Sequence, residues 1–99
     1  MTAERSWTFL TNHAHVLLAV AATPDLRLKE IAESVAITER TATQILGDLE
    51  SAGCIERRKD GRRNHYTVRT QIPLRHPLEE HHRVADLITA LSHQEIVDR

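Results

Sequence analysis

The chain has 99 residues, with 13 Lys/Arg against 14 Asp/Glu, 7 histidines and 1 cysteine. This length supports one modest core, and the balanced charge excludes a partner chosen by overall attraction alone. A lone cysteine excludes an internal disulfide, and no stretch approaches the roughly 20 apolar residues of a membrane span, so a cytoplasmic protein with no membrane partner is expected.

Charge is unevenly distributed along the chain. Residues 1–53 carry 4 Lys/Arg and 7 Asp/Glu, residues 54–69 carry 6 and 2, and residues 70–99 carry 3 and 5. Positive charge therefore gathers in one short segment, the layout of a directional nucleic-acid reader.

Trp7 and Phe9 are two of the three aromatic side chains, and an arm carrying them is expected to pack on the core or on a second subunit. Arg5 ahead of Val16–Ala22 imitates the basic and apolar regions of a signal peptide. The run is short and follows Asn12, His13 and His15, and its removal would strip much of the core. It reads as a first helix, capped by Thr11, ended before Pro24, with Val16, Leu17 and Val20 inward. His13 is expected at the core's edge with its hydrogen bonds satisfied, and His15 in solvent. Asp25 to Arg27 connect to the next element, where Leu26 and Leu28 could form a very short strand.

The stretch from Leu28 to Gly53 carries the clearest signal. Leu28, Ile31, Ala32 and Val35 fall at i, i+3, i+4 and i+7, one apolar face of a short helix, although Lys29 stands where a better cap is wanted. Ala36 and Ile37 make a tight turn, and Thr38 can cap a second helix bearing Ala42, Ile45, Leu46, Leu49 and Ala52 inward. Gly53 stands where a left-handed helix terminus is wanted. Two short helices with a capped turn between them read as helix-turn-helix.

Arg40, Thr43, Gln44, Gly47 and Ser51 lie opposite that apolar stripe. Arg40 can reach guanine O6 and N7, Gln44 adenine N6 and N7, and Thr43 a thymine methyl. Thr38 and Thr41, at the same end, join them as candidate DNA contacts. Gly47 costs about 1 kcal/mol of helix stability relative to alanine, and close approach to a sugar-phosphate backbone is a reason to keep it. Glu39 is less welcome near phosphate, although an acid in the first turn suits the helix dipole.

Cys54 opens the next strand and is expected to be a small buried hydrophobe; a redox role would need a basic, partly exposed setting. Residues 54–58 and 65–69 then alternate as strands around Lys59–Asn64, with Asp60–Gly61 as the hairpin turn. The tip presents Lys59, Arg62 and Arg63. Five cations between Arg57 and Arg63 are denser than solubility requires, and phosphate or minor-groove contact explains them.

The final segment opens with Pro73 and Pro77, and Pro77 with Glu79 and Glu80 predicts the first turn of a C-terminal helix. Leu78, His81, Val84, Ala85, Leu87, Ile88, Leu91 and Ile96 would line its apolar side. Of these, Leu78, His81, Val84, Ala85, Ile88 and Leu91 are the candidate dimerisation contacts. His76, Glu80, His81 and His82 raise a metal-site reading, but His81 and His82 diverge on such a helix and lack further ligands. No metal, no cofactor and no enzymatic constellation is expected.

A helix-turn-helix followed at once by a basic hairpin resembles the winged-helix domain of the MarR (multiple antibiotic resistance repressor) family of transcriptional regulators. The resemblance covers about residues 12–69. It is carried by Ile37 to Gln44, Leu49 to Arg57, and the wing Asp60-Gly61-Arg62-Arg63. It implies that Arg62 reaches the minor groove while Asp60 helps to hold it. Relatives that bind phenolic ligands do so between dimerisation and DNA-binding helices, which this chain has in shortened form, so the resemblance leaves an effector open.

The expected architecture is mainly α with a small β-hairpin (α+β): a three-helix core plus wing over residues 1–72, and a C-terminal dimerisation helix within 73–99. The expected function is sequence-specific double-stranded DNA binding as a homodimer, with recognition helix 38–52 in the major groove and wing 57–63 on minor groove or phosphates. The alternatives are a winged-helix protein-interaction adaptor that does not bind DNA, or a metal-responsive repressor of the arsenic-repressor type.

Overall fold

Each of the first three helices starts where a side chain supplies a missing backbone partner. In the computed structural model, which describes residues 6–91, these are α1 (Asn12–Ala22), α2 (Leu28–Val35) and α3 (Glu39–Ser51). They are followed by β1 (Ile55–Asp60), β2 (Arg63–Val68) and α4 (Val84–Leu91). Thr11 accepts from the Ala14 N–H at 3.4 Å, and Thr38 accepts from the Thr41 N–H at 3.0 Å. At α2 the order is reversed: the Glu30 carboxylate accepts from the Arg27 N–H at 2.8 Å, half of a capping box that arginine, lacking an acceptor, cannot complete.

The helix ends are equally local. Gly53 has φ +80°, Cys54 N–H donates to Leu49 O at 2.9 Å and Gly53 N–H donates to Glu50 O at 3.0 Å. Those two bonds form a Schellman motif. The turn between α2 and α3 uses Ala36 at φ 68°, with Ile37 N–H reaching Ala32 O at 2.9 Å. A left-handed alanine is strained, and no residue type in the sequence announced it.

Val16, Leu17 and Val20 of α1 meet Ile31 and Ala32 of α2 and Ala42, Ile45, Leu46 and Leu49 of α3 in one core. Cys54, Ile55, Tyr66 and Val84 close it from the hairpin side and from α4. The expected inward residues of the first three helices are in place, and Cys54 is buried. No described helix is long and apolar enough to cross a membrane.

Three local expectations need correction. Leu28 begins α2 instead of forming a strand with Leu26; the α1–α2 turn meets the hairpin through one backbone bond, from Tyr66 N–H to Pro24 O at 3.0 Å. The hairpin is longer than expected, with Asp60 opposite Arg63 and only Gly61 and Arg62 in the loop. Gly61 has φ 68° and Arg62 does not have positive φ, the pattern of a II′ turn, whose glycine stands first. Lys59 and Arg63 therefore belong to the strands. Of the two places expected for the aromatic arm, the chain's own core is not the one used: Trp7 and Phe9 meet edge to face at 4.9 Å and are exposed.

The largest correction is the start of the last helix, at Val84 instead of Pro77. Residues 70–83 instead close into a loop, with Leu74 N–H bonded to His82 O, Val84 N–H to Ile72 O and Ala85 N–H to Thr70 O, each at 2.9 Å. One isolated turn at Pro77 gains too little to nucleate a helix against these bonds. Asp86 then accepts from the Arg83 N–H at 2.9 Å and starts α4 there. Leu78 and His81 consequently lie in the exposed loop and not on the helix, and Leu78 is 80% exposed. Val84, expected at a dimer contact, is 2% exposed in the chain's own core and has no surface to offer a second copy. Ala85 and Ile88 are half-buried, Ile88 against that core, and Leu91 is 47% exposed. Ile96 lies outside the described residues.

Candidate nucleic-acid interface

Because α3 commits Ala42, Ile45, Leu46 and Leu49 to the core, its opposite side is fixed by the helical period. Arg40, Thr43, Gln44, Gly47 and Ser51 are all exposed on it. Among the described residues, Arg40, Thr43 and Gln44 form no side-chain hydrogen bond or ion pair within the chain. Three polar heads of the kinds that read base edges are thus left uncommitted on the first half of one helix face.

Thr38 and Thr41 are placed differently. The Thr38 hydroxyl accepts the Thr41 N–H and donates to Thr41 Oγ1, both at 3.0 Å. Thr38 is engaged in capping, and Thr41 keeps only its own hydroxyl proton for an outside acceptor. Glu39 is exposed in the first turn of α3.

Two carboxylates farther along α3 are held by side chains of other elements. Asp48 Oδ2 lies 2.8 Å from His13 Nε2, so His13 ties the start of α1 to α3. Glu50 Oε1 lies 3.3 Å from an Arg57 guanidinium nitrogen, joining α3 to the hairpin. His15 is half-buried, not fully solvated, beside Asn12 Oδ1 at 3.1 Å.

Strand alternation places Ile55, Arg57 and Lys59 on one sheet face with Val68, Tyr66 and Asn64. That face turns its inner end to the core through Ile55 and Tyr66, so Lys59 projects beyond Arg57 on the α3 side. Arg58 and Arg63 lie on the other face and Arg62 lies in the loop. Arg58, Lys59, Arg62 and Arg63 are exposed, and among the described residues none of them is in an ion pair. Asp60 and Arg62, for which the family resemblance implied a mutual contact, are not paired. Arg69 instead pairs with Glu56 at 3.4 Å.

The wing also has a tie that sequence reading missed. His65 Nδ1 donates to Asp25 Oδ1 at 2.7 Å, across 40 positions of chain. Neither this pair nor His13–Asp48 has a local pattern that could have announced it. His82, one of the residues of the metal-site reading, instead has its Nδ1 3.0 Å from Asp86 Oδ2. The Arg83 backbone N–H and His82 hold the Asp86 carboxyl below the usual carboxylate range. The His81 and His82 rings stand 4.4 Å apart, yet the described residues contain no group of three side chains able to hold a metal ion.

The geometry finds counterparts among known proteins. The family model described as "MarR family" matches residues 8–63, more than half of the chain. MepR, a transcription regulator of the Staphylococcus aureus multidrug efflux pump MepA, is similar at 29% identity over 63% of this chain and 49% of its own, with TM-score 0.53. The PcaV transcriptional regulator from Streptomyces coelicolor, solved with its natural ligand, shares the fold at 18% identity and TM-score 0.55, over 85% of this chain and 64% of its own. The chain thus spans about half the length of the first and under two thirds of the second. No curated protein sequence is significantly similar to it. The family is one of regulators and not of enzymes, and its winged helix-turn-helix is typical of DNA-binding proteins. With its capped helix pair, uncommitted polar face and basic wing, this chain belongs to the MarR family.

Proposed function

We propose that the protein is a sequence-specific regulator that binds double-stranded DNA as a homodimer. In this reading α3 enters the major groove, where Arg40, Thr43 and Gln44 meet base edges. Thr41 and the capped start of α3 approach phosphate. Lys59, Arg62 and Arg63 hold the flanking backbone or minor groove. The observation that carries the reading is the pairing of an uncommitted polar helix face with a hairpin whose outer cations are exposed and unpaired.

The second copy is supported by exposed apolar side chains that the core does not use. Trp7 is 64% exposed, Phe9 91%, Leu78 80% and Leu91 47%. A two-fold dimer would present two α3 helices to half-sites about 34–36 Å apart. Sedimentation of the purified chain tests this component, and a monomer at micromolar concentration in the presence of operator DNA would remove it.

The wing is tested by salt. Affinity for DNA falls linearly in log[salt], with a slope of about −0.9 for each phosphate contacted. Replacing Arg62 and Arg63 together by alanine should reduce that slope by about 2. An unchanged slope would take the wing out of the mechanism, and the absence of any salt dependence in the wild type would favour a protein-interaction adaptor.

A further inference from the structure

We propose that Asp25 and His65 form a brace that sets the pitch of the wing on the helical body, and thereby which phosphates the wing cations reach. The inference rests on the DNA-binding reading above and assigns it two positioning residues outside the interface. A two-stranded hairpin is marginal on its own, and from Arg57 to Arg63 every residue of this one is exposed. Its outer half takes its direction entirely from how its root is held.

The root is held on three sides. Ile55 and Tyr66 are buried in the core, but apolar contact is non-directional and leaves rotation soft. Tyr66 N–H donates to Pro24 O at 3.0 Å, which fixes the free edge of β2 against the α1–α2 turn. His65 points to the opposite sheet face from Tyr66 and donates to Asp25 on the same turn at 2.7 Å. Backbone edge and outer face are thus gripped by consecutive residues, Pro24 and Asp25, and only the second grip is made by side chains. The Arg57–Glu50 contact on the other strand is longer, at 3.3 Å; Arg57 is more exposed than His65, and Glu50 less exposed than Asp25.

The lever is long enough to matter. Arg62 is three residues beyond His65, about 10 Å along a strand, so a change in pitch of about 20° would carry it about 3–4 Å. That displacement is larger than the whole length range of a hydrogen bond. An exposed side-chain pair contributes little to folding, so loss of the brace should be felt in DNA contact and not in stability.

The test uses the full chain and a duplex selected from random DNA, with affinity measured across a salt series. His65→Ala and Asp25→Ala are each expected to weaken binding about three- to fivefold, the most an exposed pair can supply, and to lower the salt slope by 1–2, as loss of one or two phosphate contacts requires. Their thermal midpoints should stay close to that of the wild type. Asp25→Asn, which keeps an acceptor oxygen for the imidazole N–H, should retain most of the slope. In an Arg62→Ala/Arg63→Ala background, His65→Ala should cost less than about twofold further, because the brace acts through those cations. If the wing double variant lowers the slope but neither brace variant does, the brace is overturned and the wing reading stands. An equal loss in both backgrounds also overturns the brace. If the wing double variant leaves the slope unchanged, both fail together.

Discussion

Gly47→Ala separates what α3 needs to fold from what it needs to bind. Glycine within a helix is less stable than alanine by about 0.5–1 kcal/mol. Gly47 lies on the exposed face of α3, and a Cβ built there meets nothing within 4 Å. Neither clash nor packing gain therefore corrects the backbone value, and folding alone gives no reason to retain glycine. The substitution should raise stability by about 0.5–1 kcal/mol, which for a domain near this size is a rise in Tm of about 2–8 °C. It follows Thr43 and Gln44 on one face, so in the proposed complex its missing side chain would leave room for DNA backbone. The same variant should bind operator DNA about tenfold more weakly, a loss of about 1.4 kcal/mol. Thermal unfolding by circular dichroism and a fluorescence anisotropy titration measure the two effects on one sample. A variant that gains stability and keeps its full affinity would refute the close-approach argument. One that loses stability would refute the placement of Gly47 in an open helical position.

Other substitutions probe other links. Gly53→Ala has equal space around it but must adopt φ +80°, so it should destabilise by about 1–2 kcal/mol in denaturant unfolding. A neutral result would mean that the end of α3 has another route. Arg40→Ala should lose about 1–3 kcal/mol on the preferred sequence and relax base preference at one position per half-site; uniform weakening over a panel of single-base variants would reassign Arg40 to phosphate. Asp86, held below the usual carboxylate range by the Arg83 N–H and His82, makes the start of α4 acid-sensitive. Because its folded value lies below its unfolded one, its contribution is complete above the ordinary carboxylate range and is lost as pH falls through the lowered value. Asp86→Ala should therefore flatten the acid limb of the stability profile, and an identical limb in both proteins would dissociate the carboxylate from α4.

Local rules made the helix-turn-helix legible. Thr11, Thr38 and Gly53 mark boundaries by bonds that span a few residues, and the apolar spacing of α1, α2 and α3 selects their buried faces without further context. The wing was legible in kind but not in extent. Asp60–Gly61 signalled a turn, yet the pairing of Asp60 with Arg63 depends on the whole ladder and moves Lys59 and Arg63 onto strands. The last segment misled for a related reason: Pro77 and two glutamates make a good helix start in isolation, whereas Thr70, Ile72 and Leu74 hold the following backbone in a closed loop. His13–Asp48 and Asp25–His65 join residues far apart in sequence, so no spacing rule reaches them. The polar residues proposed to read DNA were accessible to sequence reasoning because helical period alone places them opposite the core.

The most direct measurement is selection of fragments bound by the purified protein from a pool of random duplex DNA. The account predicts enrichment of an inverted repeat whose half-site centres lie about one helical turn apart, 10–10.5 base pairs or a small multiple of it, with enrichment abolished at high salt. Recovery of unenriched sequence at every salt concentration would contradict a sequence-reading role for the exposed face of α3.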